Sequence, residues 1–386
     1  MKLKILATIL VFYFTASAFA QTVSLDTSAP PAEKPFEMLV IGDSIIWGQG
    51  LEDKDKFTFL TKSWLEINKF NRKRSVNMFV KAHSGASITK KNEGSLDPTI
   101  YFNGEINLWT PSITQQAKDA LDCYRQPTNS SECYQNAGVS RENLSYYQGN
   151  PISPENVDLI LLDGCINDMS ARRIFDFSFR RKMLKAAAQQ FCYGAMKELL
   201  GVLVKDYPKA KIIVTGYYPL VSKDTNPNAL YDAALNAFGD NPVSDVILKA
   251  FKIFNLKPFK KFRVIRNIFA KRSSVWYLES AKGLEKAVSE TNKALSEPRV
   301  FYVDPAFQYE NSFSASNTYL WKLIDNTRTD DSLYAKRQDI CADRRLTHFN
   351  RFDHFICHRA GLFHPNKAGA AAYYRAIANK LKEIQF

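Results

Sequence analysis

Residues 36–44 read Phe36-Glu37-Met38-Leu39-Val40-Ile41-Gly42-Asp43-Ser44. The unbroken apolar run 38–41, stopped by a glycine, has the pattern of a strand buried on both faces, as in the interior of a parallel sheet. Runs of the same kind recur at 76–80, 157–162, 211–215 and 299–303. Between them lie segments with helical spacing of apolar residues, at 57–68, around 112–123, and at 175–206 and 281–296, with a last one at 367–384. Strand and helix in alternation predict a parallel five-stranded sheet with helices on both faces. Ligands of such sheets bind outside the carboxyl ends of the strands.

The rest of the chain bounds where this domain works. Of 386 residues, 45% are hydrophobic and 13% aromatic, the composition of a folded globular protein. Lys2 and Lys4 precede an apolar run that ends in Ala18-Phe19-Ala20, so residues 1–20 read as a secretory signal peptide cleaved before Gln21. Residues 21–35 read as a flexible lead-in, and 36–386 as a single domain. The expected location is secreted or periplasmic. No later stretch has the ~20 uninterrupted apolar residues of a membrane span.

The formal net charge of +13 favours anionic partners, a lipid or membrane surface among them. Export argues against nucleic acid. Six cysteines, Cys123, Cys133, Cys165, Cys192, Cys341 and Cys357, form an even set in a chain bound for an oxidising compartment. Neighbour pairing would join Cys123 to Cys133, Cys165 to Cys192 and Cys341 to Cys357, with the middle two alternatively free and buried. No cysteine spacing resembles a zinc site; His354 and His358, four apart, would suit a metal on a helix but lack matching acidic ligands, and no metal or cofactor is expected.

Two insertions enlarge the pattern, at about 86–153 and 222–274. The second carries nine Lys or Arg and no acid between Val246 and Val275. Phe259, Phe262, Ile265 and Phe269 recur there at near-helical spacing, opposite Lys260, Lys261, Arg263 and Arg266. Such a pattern suits either a membrane surface or a cap helix with its apolar stripe on the core.

Four segments carry candidate chemistry. Ser44 follows the first strand in Gly42-Asp43-Ser44. Gly85 follows the second in Ala82-His83-Ser84-Gly85, where a backbone N–H can approach a ligand unobstructed. Asn167 follows the third in Asp163-Gly164-Cys165-Ile166-Asn167-Asp168. His364 precedes the last helix in Gly361-Leu362-Phe363-His364-Pro365-Asn366. A serine hydroxyl needs a base to take its proton, and His364 is the candidate.

In order and placement these segments resemble the blocks of the SGNH (GDSL-type) hydrolases, which are named for their Ser, Gly, Asn and His. The resemblance implies a three-layer α/β/α fold of flavodoxin-like sheet order. It also implies Ser44 as nucleophile, His364 as base, and an oxyanion hole of the Ser44 and Gly85 N–H groups with the Asn167 amide. Asp43 and Asp168 would brace their loops. Members usually carry an acid three residues before the histidine, but that position here is Gly361. Either a main-chain carbonyl orients the ring, as in some secreted members, or a displaced acid does so, with Asp353 the nearest upstream. The expected activity is carboxylic ester hydrolysis by a monomer, with a lipid ester favoured as substrate. The alternatives are an acetyl-glycan esterase, an acyltransferase and a non-catalytic surface-binding protein.

Overall fold

The computed structural model describes residues 34–89, 104–105, 111–125, 153–238, 258–325, 328–342 and 357–386. The expected leader 1–20, most of the lead-in and most of the first insertion, Cys133 included, lie outside the described residues.

In chain order the elements are β1 (Phe36–Ile41), the single turn α1 (Ser44–Trp47), α2 (Phe57–Trp64), β2 (Val76–Val80), α3 (Ile113–Arg125), β3 (Val157–Leu162) and the turn α4 (Ile166–Met169). Then come α5 (Arg181–Ala187), running through a π-helical stretch (Ala188–Ala195) into α6 (Met196–Asp206), and β4 (Lys211–Thr215). The chain closes with α7 (Pro227–Phe238), α8 (Pro258–Lys293), β5 (Val300–Val303), α9 (Tyr334–Cys341) and α10 (Lys367–Glu383).

All four strand pairings are parallel, and the order is β2-β1-β3-β4-β5. This is the flavodoxin-like order. β1, an interior strand between β2 and β3, is buried along its whole length, as a strand covered on both faces must be. α2 and α10, which follow the first and last strands, pack on each other. The other layer holds α3, α6 and α8. This is the distribution that right-handed crossovers impose. Tyr373 of α10 stacks on Phe57 of α2 with ring centres 4.8 Å apart, and its hydroxyl donates to the Gly216 carbonyl beyond β4 at 2.7 Å.

The second insertion does not end before a separate helix at 281. One helix, α8, runs from Pro258 to Lys293. Arg272 and Ser273 interrupt its apolar pattern, yet both are buried, because they serve backbone groups of neighbouring loops. Arg272 donates to the carbonyls of Ile174 (2.6 Å) and Arg173 (2.5 Å), and the Ser273 hydroxyl accepts from the Val221 N–H at 3.1 Å. Ile265 and Phe269 are buried as well, and Phe269 packs against Phe175 and Phe177. The expected helix at 175–206 starts later, at Arg181, after a short 3-10 turn.

Disulfides join Cys165 to Cys192 and Cys341 to Cys357, with Cα separations of 5.1 and 5.8 Å. Cys123 is also disulfide-bonded. Among the described residues no helix is long and apolar enough to cross a membrane.

Candidate active site

The serine turn is over-determined by backbone contacts. Gly42 leaves β1 at φ +145°, and a Cβ there would fall 1.9 Å from Asp163 Oδ1. Only glycine fits that position. Gln116 of α3 accepts the Gly42 N–H at 2.8 Å and donates to its carbonyl at 3.0 Å. Asp163, at the end of β3, accepts the N–H groups of Asp43 (2.6 Å) and Ile46 (2.9 Å). Asp43 caps α1 by accepting from the Ile45 N–H at 2.8 Å, and it takes the Tyr217 hydroxyl at 3.1 Å. Burial raises the pKa of both Asp43 and Asp163, and for Asp163 the nearby Asp43 charge adds to the effect. The pair therefore favours holding a proton, and neither carboxylate is placed to react.

Ser44 is thus held at the carboxyl end of β1, and His364 meets it there. The imidazole Nε2 lies 2.7 Å from Ser44 Oγ. Nδ1 lies 3.2 Å from the Leu362 carbonyl, which assigns the proton to Nδ1 and leaves Nε2 as an acceptor for the serine proton. The group orienting the ring is therefore the main chain of Leu362. Gly361 offers no side chain for that role, and Asp353 lies outside the described residues. The Gly361 carbonyl instead accepts the His364 backbone N–H at 3.0 Å. Burial pushes the His364 imidazole down to about 4, with the Arg337 charge acting in the same direction and the Leu362 carbonyl against it. At neutral pH the ring is an unprotonated base.

The loop around His364 is fixed from both ends. Asn366 caps α10 by accepting the N–H groups of Ala368 (2.9 Å) and Gly369 (3.1 Å), a cap worth ~1 kcal/mol. The His364 carbonyl accepts from the Trp321 N–H at 2.8 Å, and the Tyr218 hydroxyl donates to the Phe363 carbonyl at 3.0 Å.

Gly85 sits at φ +81° on a loop tied to the serine turn, where the His83 N–H donates to the Gly42 carbonyl at 3.1 Å. The Asn167 amide donates to the Ala86 carbonyl at 2.9 Å, which aligns it beside that loop. Among the described residues neither the Ser44 N–H nor the Gly85 N–H has an acceptor in the protein. Backbone donors with no acceptor beside a serine hydroxyl are what an oxyanion hole would require. Asp168 braces the Gly85 loop, accepting the Ile88 N–H at 2.8 Å. Cys165, just before Asn167, holds the strained φ of +111°, and its disulfide to Cys192 anchors that conformation.

Sequence reasoning missed Gln116, Asp163 and Tyr217, and it offered a main-chain carbonyl for the ring without saying that it is the one of Leu362. Asp163 was within reach, since it ends an apolar run beside Gly164. A main-chain carbonyl leaves no signal in residue identity.

No protein-family model matches the chain, and no curated protein matches it. Solved structures with a similar course of the chain include an extracellular lipase from Streptomyces rimosus, 10% identical, with 89% of this chain and 99% of that one covered and a TM-score of 0.42. A phospholipase A1 from Streptomyces albidoflavus NA297 is 11% identical, with 90% and 99% covered and a TM-score of 0.41. A carbohydrate esterase family 2 enzyme with a carbohydrate-binding domain, from Corynascus thermopiles (Myceliophthora fergusii), is 14% identical, with 93% and 69% covered and a TM-score of 0.39.

Proposed function

We propose that the protein is a serine ester hydrolase working through an acyl-enzyme on Ser44. The observation that carries this reading is the 2.7 Å approach of His364 Nε2 to Ser44 Oγ, with Nδ1 committed to the Leu362 carbonyl. Nε2 takes the hydroxyl proton as Oγ attacks the ester carbonyl carbon. The resulting oxyanion faces the N–H groups of Ser44 and Gly85 and the Asn167 amide. Collapse of the intermediate expels the alcohol, which receives the proton from Nε2. A water activated by the same nitrogen then releases the acid. A carbonyl stabilises the transient imidazolium less than a carboxylate would, so the dyad turns over more slowly than a full triad.

The substrate class in this reading is a lipid ester met outside the cytoplasm, with residues 1–20 as the export signal. Arg263, Arg266 and the exposed Val264 of α8 support it by presenting cations and an apolar side chain outward, whereas Ile265 and Phe269 serve the core. An acetylated glycan is the competing substrate.

The test is hydrolysis of p-nitrophenyl esters of increasing chain length by wild type and Ser44→Ala, both exported through an oxidising pathway. Turnover that rises with chain length and collapses in the variant supports the lipid esterase. A strict preference for acetate points to the glycan substrate. Folded wild type without turnover on any ester would leave a surface-binding protein as the better description.

A further inference from the structure

Gly361 stands three residues before His364, and the space beside it is already taken. A Cβ at Gly361 would come 2.5 Å from Asp331 Oδ2 and 2.8 Å from its Cγ. Asp331 arrives from another segment, and its carboxylate is fully gripped. It accepts Arg337 Nη2 at 2.6 Å, Arg337 Nη1 at 3.1 Å, the Leu333 N–H at 3.1 Å and the Thr329 hydroxyl.

Arg337 has no exposed surface, and it reaches both halves of the site. On the histidine side Nη1 lies 3.5 Å from the His358 carbonyl, and the Cys341–Cys357 disulfide joins its helix to the same segment. On the serine side Nη2 donates to Glu105 Oε1 at 2.8 Å. Glu105 in turn accepts the Gly50 N–H (3.0 Å), Gln49 Nε2 (2.9 Å) and Trp47 Nε1 (3.0 Å), all on the turn just beyond Ser44. A Cβ on Gly50 would meet Asp331 Cβ at 2.8 Å, so both turns close on one carboxylate.

We propose that Arg337, clamped between Asp331 and Glu105, is the positioning residue for His364: the buried cluster locks the 357–364 turn against the 47–50 turn and sets the electric field at the imidazole. The inference rests on the reading of Ser44 and His364 as nucleophile and base. A buried ion cluster is weak support for stability as such, because its desolvation cost rivals its attraction. Its location between the two turns is what gives it a function.

The charged side chains acting on the His364 ring are Arg337, which disfavours protonation, and Asp331, which favours it. The Ser44 hydroxyl and the carbonyls of Leu362 and Gly361 supply the other polar contacts. The two substitutions therefore have opposite signs. Removing the Arg337 cation and freeing Asp331 raises the imidazole pKa, and removing the Asp331 anion lowers it.

The experiment titrates His364 by NMR in 13C-histidine-labelled full-length wild type, Arg337→Gln, Arg337→Lys and Asp331→Asn. It pairs this with the pH profiles of kcat and KM on p-nitrophenyl acetate. Arg337→Gln is expected to move the titration up by roughly 1 unit and Asp331→Asn to move it down. Arg337→Gln should lower kcat roughly tenfold to a hundredfold with KM unchanged, and Arg337→Lys should recover part of the loss. Titrations and kcat that stay at wild-type values while only the melting temperature falls would overturn the proposal and leave the cluster a structural brace. Should Arg337→Gln not fold, the direction of the Asp331→Asn shift decides alone. Wild type that titrates as expected but hydrolyses no ester would count against the esterase reading and leave the cluster's effect on His364 established.

Discussion

The two halves of the site are supported in different ways. Ser44 stands on strand ends: β1 delivers it, and Asp163 from β3 and Gln116 from α3 hold the turn through short contacts to backbone. His364 stands on a late loop: its ring is held by the Leu362 carbonyl, its backbone is tied to Trp321 and Gly361, and the proposed clamp joins Arg337 to Glu105, 232 positions away. A sheet places a nucleophile by backbone geometry. A loop has no strand to deliver it, so its placement rests on contacts gathered from distant segments.

Substitutions on the serine side should be the more severe. Ser44→Ala is expected to abolish ester hydrolysis, by a factor on the order of 10³ to 10⁶, without lowering the melting temperature. Activity within tenfold of wild type would place the nucleophile elsewhere. Asn167→Ala removes one proposed oxyanion donor and should reduce kcat by roughly 10² to 10³ with little change in KM. A rise in KM alone would mean that the amide binds substrate and does not favour the transition state.

Gly42→Ala puts a methyl against Asp163 at a positive φ. It should cost roughly 2–4 kcal/mol of unfolding free energy in denaturant titration, as strain and overpacking combine. An alanine variant as stable as wild type would show that the serine turn is less rigid than its contacts imply.

The pH dependence probes the histidine side and is the mildest effect. His364 must be unprotonated to act as base, so kcat/KM should be level through neutrality and fall only as pH drops through about 4. The same depressed pKa has a consequence for folding. Between the ordinary histidine value of ~6.5 and about 4 the unfolded chain binds a proton that the folded chain excludes, so this group's effect is to lower stability as pH falls through that window. A rate limb near 6.5 would show an imidazole hydrated much as in an unfolded chain.

The same contrast explains what residue identity could reveal. The runs at 76–80, 157–162 and 211–215 coincide with β2, β3 and β4, because strands covered on both faces are apolar along most of their length. Ser44, Gly85 and Asn167 follow such runs directly, so their common location at the carboxyl edge was readable. Arg337, Asp331 and Glu105 carried no local mark, since a buried ion cluster exists only once distant segments meet. In α8 the polar pair Arg272-Ser273 closes the expected insertion at about 274, because its partners are backbone groups of distant segments that no helical pattern encodes. Gly361 read as a missing acid, whereas the fold fills that space with Asp331.

The central claim is an acyl-enzyme on Ser44 formed with the help of His364. The most direct measurement is intact and peptide mass spectrometry of wild type, Ser44→Ala and His364→Ala after brief exposure to a p-nitrophenyl ester and acid quench. The account predicts an acyl mass on the Ser44 peptide of wild type and none on Ser44→Ala, with His364→Ala acylated far more slowly. Turnover by wild type with the acyl group on another residue, or equal acylation in His364→Ala, would contradict it.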